Sequence, residues 1–252
     1  MSLIPLIMLL AFGCEFVDSA LGMGYGTTLT PVLLMLGYEP LQIVPAILFS
    51  EFLTGFVAAI SHHEIGNVNL KPGTQAFKVS IILAICSVLG VVIAVVVALD
   101  VPKIVVKLYV GVMVLVMGIA ILVGLARNRS SRFSWKRIVS LGFVAAFNKG
   151  ISGGGYGPVV TGGQMLSGVE SKSAIAICSL AEGITSLAGV LTYLVAGEGI
   201  DWLLAPSLAL GAVLSAPLAA LAVSKASGKR LAGAVGALTT TLGVWTLLQL
   251  FR

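Results

Sequence analysis

The chain contains an ungapped internal repeat, because adding 131 to a residue number in the first half often reaches the same residue type in the second half. The matches include acids and an aromatic residue as well as small apolar residues. The matched pairs are Phe12–Phe143, Phe16–Phe147, Gly22–Gly153, Gly24–Gly155, Tyr25–Tyr156, Gly26–Gly157, Thr30–Thr161, Gly37–Gly168, Glu39–Glu170, Glu51–Glu182 and Thr54–Thr185. Two related hydrophobic halves, each interrupted by glycines near its start, are typical of a secondary transporter.

The composition indicates a membrane protein. Charged residues are 10% of the chain and the mean hydropathy is +1.08, whereas a soluble domain has about 25% charged residues. Six segments each approach the roughly 20 apolar residues that a spanning helix needs: 41–60, 77–99, 103–125, 171–196, 202–223 and 230–250. A soluble helical protein would need polar helix faces, which these segments lack. We predict an all-α, multi-pass protein of the cell (plasma) membrane, the inner membrane of a bacterium, with residues 1–252 as a single membrane domain.

The loop charges predict the orientation. The segment 126–137 carries five basic residues and no acid: Arg127, Arg129, Arg132, Lys136 and Arg137. By the positive-inside rule this connecting loop is cytoplasmic. A second basic loop contains Lys225, Lys229 and Arg230, and an acidic loop contains Glu198 and Asp201. The net charge of +5 lies mostly in such short loops and gives no reason to expect a nucleic-acid partner.

Two further apolar regions, 3–36 and 138–166, are broken by glycine-rich runs. We interpret each as a re-entrant hairpin of two broken helices, with limbs of about 12–15 apolar residues that are too short to span comfortably. Each half, 1–125 and 138–252, then comprises one hairpin plus three transmembrane helices. Because a hairpin returns to the side from which it enters, each half crosses the membrane three times. The second half therefore has the opposite orientation in the membrane to the first. The prediction is an inverted-topology repeat with both termini extracytoplasmic.

The hairpins turn at glycine-rich segments, 22–26 and 153–157. Unwound backbone at membrane depth is tolerated only where it is buried in protein or lines a cavity. Its N–H groups and the N-termini of the following helices form an anion-binding surface; alternatively, the glycines only permit close helix packing. The predicted substrate-binding residues are Gly22, Gly24, Tyr25, Gly26 and Thr27 in the first half, and Asn148, Lys149, Ser152, Gly153, Gly154, Gly155 and Tyr156 in the second.

These paired segments, the short hairpins and the basic central loop resemble the sulfite exporter TauE/SafE family, whose members carry G-x-G-G-G followed by a proline, repeated in the second half. Here 153–155 is Gly-Gly-Gly and precedes Pro158, and the degenerate segment 22–26 precedes Pro31. Many relatives also carry Ala-x-Gly-Thr-Ser after the hairpin, and the corresponding stretches 44–50 and 175–180 differ. The resemblance covers nearly the whole chain. It implies export of sulfite, an organosulfonate such as sulfoacetate, or another small organic anion.

Ionisable residues in apolar segments are functional candidates. Lys149, just before the second glycine segment, is expected to neutralise a bound anion. Its repeat partner is Asp18, of opposite sign, so an Asp18–Lys149 ion pair between the two turns is the alternative. Both interpretations hold together if substrate competes for the lysine, and Asp18 is then a gating residue.

Glu51 and Glu182 lie well inside predicted spans and pair under the repeat. They are expected either to bind a coupling proton or Na⁺, or to hydrogen-bond the opposing hairpin. Glu15 is similar but ranks lower, because its repeat position holds no acid.

Other polar residues receive structural interpretations. Glu39 and Glu170 precede helix starts and are expected to act as caps. His62 and His63 are expected to be solvated loop residues. The three cysteines, Cys14, Cys86 and Cys178, are expected to pack as small apolar residues rather than to form disulfides.

Competing functional classes are weaker. The segment 150–154 matches the G-x-S-x-G pattern of serine hydrolases around Ser152, but its base would have to be Lys149, because the histidines are predicted in a distant loop. A dinucleotide site would need a third glycine where Thr27 stands. We expect no enzymatic activity, no cofactor and no metal. An anion channel, a carrier for another small anion such as a carboxylate, and a homodimer remain open alternatives.

Overall fold

The computed structural model describes residues 3–97, 103–126, 133–152, 156–197 and 199–248. All regular elements within these ranges are α-helices. They are α1 (Leu3–Leu21), α2 (Tyr25–Met35), α3 (Pro40–Glu64), α4 (Gln75–Val97), α5 (Lys103–Ala126), α6 (Trp135–Ser152), α7 (Tyr156–Leu166), α8 (Ser171–Val195), α9 (Leu204–Lys225) and α10 (Gly228–Leu248).

Five described segments are long and apolar enough to cross a membrane: Ile4–Leu21, Gln42–Glu64, Ser171–Val195, Leu204–Lys225 and Gly228–Leu248. Shorter apolar stretches occur in α4 and α5, at Gln75–Val91 and Val114–Ala126. Large apolar side chains remain exposed along one face of α9, at Leu210, Leu214, Leu218 and Leu221. The predicted all-α membrane architecture is thus confirmed at this level.

The first hairpin breaks where the glycines predict. Helix α1 ends at Leu21, because Gly22 and Gly24 adopt φ values of +71° and +125°, which side-chain-bearing residues rarely adopt. Helix α2 starts again at Tyr25. In the second hairpin, α6 ends at Ser152 and α7 begins at Tyr156; the predicted site residues Gly153, Gly154 and Gly155 lie outside the described residues.

The prediction that the hairpin limbs are too short to span a membrane is wrong for α1, whose segment Ile4–Leu21 is long and apolar enough to cross. Helix α1 has 19 residues and α6 has 18, whereas α2 and α7 have 11 each. The first limbs extend through polar residues, Asp18 in α1 and Lys149 in α6, that are buried within the protein. In the first hairpin, the first limb (α1) is thus long enough to span a membrane, whereas the second limb (α2) is short.

The order and the lengths of several helices follow the sequence repeat. Adding 131 to the bounds of α2 and α3 gives the bounds of α7 and α8. Helix α1 packs on α9 and α6 packs on α4, while α3 packs on α8 and α5 on α10. Each of these pairings joins the two halves of the chain, so the core lies between them rather than within either.

Helices α3 and α8 approach closely at glycines. A Cβ atom added to Gly55 would lie 2.6 Å from the Cα of Gly183, so the two backbones touch. Glu51 lies one turn before Gly55, and Glu182 adjoins Gly183. The crossing therefore brings both carboxyl groups towards the same region.

Candidate functional site

Lys149 forms the centre of a buried ion-pair cluster. Its Nζ lies 2.6 Å from Glu51 Oε2 and 2.7 Å from Glu182 Oε1, and only 2% of the residue is exposed. The ring centroid of Tyr156 lies 5.3 Å from the same nitrogen. A buried charge is tolerated when it is paired and hydrogen-bonded, and here one ammonium on α6 joins the crossing helices α3 and α8.

The alternative ion pair between Asp18 and Lys149 was wrong. The ion pairs described for Lys149 go to Glu51 and Glu182, whereas Asp18 Oδ1 accepts the backbone N–H of Tyr25 at 3.0 Å. Tyr25 is the first residue of α2, and a helix N-terminus favours a carboxylate. Asp18 thus stabilises its own hairpin, and the α3–α8 crossing supplies the partners of the lysine.

Glu15 also belongs to this cluster, although the sequence alone ranks it below Glu51 and Glu182 as a functional candidate. It is 2% exposed, and its Oε1 accepts the Ser19 hydroxyl at 2.6 Å. A cavity offering about 10 Å³ to the centre of a water molecule is lined by Glu15, Asp18, Glu51, Thr54, Gly55, Ser179 and Glu182. The missed signal was helical spacing, since residues three apart such as Glu15 and Asp18 share a helix face.

The first glycine break lies against the start of α7. Thr161 Oγ1 donates to the carbonyl oxygen of Gly22 at 2.8 Å, and the Cys178 Sγ lies 3.6 Å from the same oxygen. A Cβ on Gly157 would overlap that oxygen and lie 2.6 Å from Met23 Cα. Close packing is therefore one role of Gly22 and Gly157.

The two repeat-related tyrosines are buried anchors. The Tyr25 hydroxyl lies 2.8 Å from Ser50 Oγ on α3, and the Tyr156 hydroxyl lies 2.9 Å from Ser87 Oγ on α4. Both hydroxyls have partners, so these side chains fix the starts of α2 and α7. The other predicted site residues lie nearby in the chain: Gly24, Gly26 and Asn148 are buried, Thr27 is half-buried and Ser152 ends α6.

The family model described as "Sulfite exporter TauE/SafE" matches residues 7–246 of this chain. The protein belongs to the TauE/SafE family. It is also 26% identical over 246 residues to the probable membrane transporter protein YtnM of Bacillus subtilis (strain 168), a match covering 93% of this chain and 79% of the relative. No solved structure matches the chain significantly. The chain is thus a TauE/SafE membrane transporter, in agreement with the expectation that it is not an enzyme.

The expectation that His62 is a solvated loop residue was wrong for this TauE/SafE protein. Helix α3 continues to Glu64, beyond the predicted end at 60, and His62 is fully buried. Its Nε2 lies 3.0 Å from the carbonyl oxygen of Ser19, and its Nδ1 lies 3.0 Å from the Asn67 amide nitrogen. With both ring nitrogens engaged, His62 acts as a structural link between α3 and α1. His63 is half-buried.

The capping interpretation is confirmed at both repeat-related glutamates. Glu170 Oε2 accepts the backbone N–H of Ser173 at 3.1 Å. At the start of α3, the backbone N–H of Glu39 donates to Gln42 Oε1 at 3.0 Å. The cysteines are free thiols, and Cys178 is buried.

A larger cavity, with about 290 Å³ accessible to water, lies away from the charged cluster. It is lined by the first turns of α4 and α8 and by the loop that precedes α8, including Val79, Glu170, Ser173 and Ile177. Ile177 precedes Cys178, which contacts the first glycine break.

Proposed function

We propose that this protein exports a small sulfur anion, sulfite or an organosulfonate such as sulfoacetate, by alternating access at a site between the two glycine breaks. The observation that carries this proposal is the buried ammonium of Lys149, held by Glu51 and Glu182 at the end of a broken helix. Charged side chains in the interior of a transporter are costly and mark substrate or ion pathways.

The two breaks differ in charge, which favours one of them for the anion. At the first break, the Asp18 carboxylate already occupies the N-terminus of α2 through the Tyr25 N–H. At the second break, the repeat-equivalent residue is Lys149. An incoming anion is therefore repelled at the first break, and at the second it is attracted by Lys149 once Glu51 or Glu182 releases the ammonium.

We place the substrate near the start of α7, where the helix N-terminus adds to the attraction of Lys149 for an anion. The first break forms the opposite wall of this site, since Gly22 contacts α7 through Thr161. The proposed substrate-binding residues are Asn148, Lys149, Ser152, Gly153, Gly154, Gly155 and Tyr156, with Gly22, Gly24, Tyr25, Gly26 and Thr27 across the site.

Glu51 and Glu182 are proposed as the residues that couple and gate transport. Both carboxylates already contact the ammonium of Lys149, so an anion reaching this nitrogen must displace at least one of them. A displaced carboxylate next to a bound anion is strongly repelled in a medium of low dielectric constant. A proton taken up by the charged cluster reduces this repulsion, which makes anion binding sensitive to pH. Asp18 adds negative charge on the opposite side and disfavours entry of the anion at the first break.

The membrane potential favours the proposed direction. Each negative charge that moves outward gains about 2.3 kcal/mol per 100 mV of inside-negative potential. A divalent anion gains twice this amount, and each accompanying proton cancels one unit of charge. The membrane potential therefore still drives export as long as each transport cycle moves fewer protons than negative charges on the anion.

We further propose that the two halves, 1–125 and 138–252, form an inverted repeat joined by the basic cytoplasmic loop 126–137. The shared helix bounds under the 131-residue shift and the reciprocal packing of α1 on α9 and α6 on α4 support this arrangement. In element order α6 corresponds to α1 and α9 corresponds to α4, so the contact of α1 with α9 and the contact of α6 with α4 are equivalent under the repeat. Alternating access then requires one half to move against the other around the charged cluster.

Counterflow in proteoliposomes tests the function. Labelled sulfite, sulfoacetate, taurine and lactate are compared with wild-type protein, with Lys149→Ala, and with Lys225→Ala as a control at an exposed lysine. The proposal expects counterflow of sulfite or sulfoacetate that is lost in Lys149→Ala and kept in Lys225→Ala. Counterflow of lactate alone would make the protein a carboxylate carrier, and conductance far above carrier rates would make it a channel.

A further inference from the structure

Glu15 is the one carboxyl group of the described cluster that has neither a repeat-related acid, nor an ion pair, nor a backbone N–H partner among the described residues. Its repeat position is Ala146, so the second half has no equivalent acid. One oxygen, Oε1, accepts the Ser19 hydroxyl. The other oxygen, Oε2, is buried and has no hydrogen-bond partner among the described residues.

The other three acids of the cluster have partners that stabilise a negative charge. Glu51 and Glu182 contact the ammonium of Lys149, and Asp18 accepts the N–H at the start of α2. A bare carboxylate oxygen in a buried position carries a large desolvation cost, whereas a protonated carboxyl carries no net charge. Of the four, Glu15 is therefore the group at which a proton relieves the largest unfavourable interaction.

The surroundings of Glu15 reinforce this conclusion. The ionisable groups that interact electrostatically with it are Cys14 and Asp18 on its own helix, Tyr25 on α2, Glu51 on α3 and Glu182 on α8. None of these groups is a cation. The nearby His62 has an amide nitrogen facing Nδ1 and a carbonyl oxygen facing Nε2, the pattern of a neutral ring. Lys149 is already engaged by Glu51 and Glu182, so no described cation balances an ionised Glu15.

The cavity next to Glu15 gives a proton a path to the rest of the cluster. Its volume, about 10 Å³ for the centre of a water molecule, is close to the minimum that holds one water. Glu51, Glu182, Thr54 and Ser179 line the same cavity and supply the polar partners that such a water needs. A water in this cavity would link Glu15 to Glu51 and Glu182.

We propose that Glu15 binds the coupling proton of this transporter, and that this proton accompanies the anion bound at Lys149. An ionised Glu15 adds a negative charge to a cluster that already contains three carboxyl groups, which opposes anion binding. A neutral Glu15 removes this repulsion. The inference rests on the proposed anion site at Lys149, and it assigns the proton to a residue separate from the pair that holds the lysine.

The test uses the full-length protein in proteoliposomes and the variant Glu15→Gln. Glutamine keeps the size of the side chain and a carbonyl acceptor for Ser19, so a merely structural role of Glu15 would be preserved. Two quantities are measured with whichever anion the wild type exchanges. They are counterflow at equal anion concentrations, and anion-driven proton movement followed with a pH-sensitive dye inside the vesicles. Glu64→Gln, at an exposed acid, is the matched control.

We expect Glu15→Gln to keep counterflow while it loses anion-driven proton movement, and Glu64→Gln to keep both. Proton movement at the wild-type rate in Glu15→Gln would overturn the inference and leave the anion carrier intact. Absence of counterflow for every anion in the wild type would overturn the proposed function as well.

A second measurement does not depend on transport. Infrared difference spectra of the purified protein between alkaline and acidic pH are expected to contain the carbonyl band of a protonated carboxyl that is missing in Glu15→Gln. If Glu15→Gln fails to exchange the anion, the carbonyl band alone tests whether Glu15 carries the proton. Persistence of the band in the variant would place the proton on another residue.

Discussion

Glu51 and Glu182, whose numbers differ by 131, contact the same ammonium group, at 2.6 Å and 2.7 Å from Lys149 Nζ. One residue from each half of the chain thus meets at a single lysine that only the second half supplies. The cluster is therefore asymmetric although the helices that carry the two acids are related by the repeat. This asymmetry motivates the first two predictions.

Replacing Lys149 by alanine is expected to destabilise the protein and abolish anion binding. Two carboxylates lose their cation, and breaking a buried ion pair costs about 3–5 kcal/mol. The triple variant Lys149→Met, Glu51→Gln, Glu182→Gln removes the cation together with both carboxylates that contact it, so it should recover most of the thermal stability without recovering transport. Thermal unfolding in detergent and counterflow measure the two effects. Wild-type counterflow in the triple variant would place the anion elsewhere.

Glu51→Gln and Glu182→Gln are each expected to slow transport or to remove its pH dependence. Each variant leaves Lys149 with one carboxylate and removes one of the negative charges that oppose anion binding. Initial rates of anion flux are compared over a range of pH, with and without a Na⁺ gradient. If wild-type flux ignores both gradients and both variants are fully active, these acids are structural and the protein is a uniporter.

Gly157→Ala is expected to lower both stability and transport, since the new methyl group would overlap the Gly22 carbonyl and approach Met23 Cα. These are backbone atoms, which cannot rotate away, and such overpacking costs about 1–3 kcal/mol. Gly13→Ala is the matched control within the first hairpin, because no heavy atom lies within 4 Å of the added Cβ. Thermal unfolding and counterflow of both variants are compared. Equal behaviour would show that the contact between the hairpins is dispensable.

The proposed topology predicts the location of reporter fusions. A reporter at the C-terminus is expected to be active only outside the cytoplasm, and a reporter inserted in 126–137 only inside it, because the basic residues of that loop are retained on the cytoplasmic side. At each position we compare two reporters, one that is active only in the cytoplasm and one that is active only outside it. Finding both positions on the same side would contradict the inverted repeat.

Local features of the fold were predictable from the sequence. The break between α1 and α2 follows from Gly22 and Gly24, since the backbone conformations at these positions suit glycine. The caps at Glu39 and Glu170 follow from short-range hydrogen bonding. The length of α1 was not predictable in the same way, because Glu15 and Asp18 lower the number of apolar residues in the limb, and only the fold shows that both acids are buried.

The sequence by itself determined the family, the apolar helices, the glycine breaks and the presence of acids and a lysine within apolar segments, because these depend on residue type and near neighbours. Only the tertiary structure decided the partners of those charges. Lys149 contacts Glu51 and Glu182 instead of Asp18 because α3 and α8 touch at Gly55 and Gly183. His62 is buried by its contacts with Ser19 and Asn67. Such choices depend on distances between segments far apart in the chain, which no local pattern encodes.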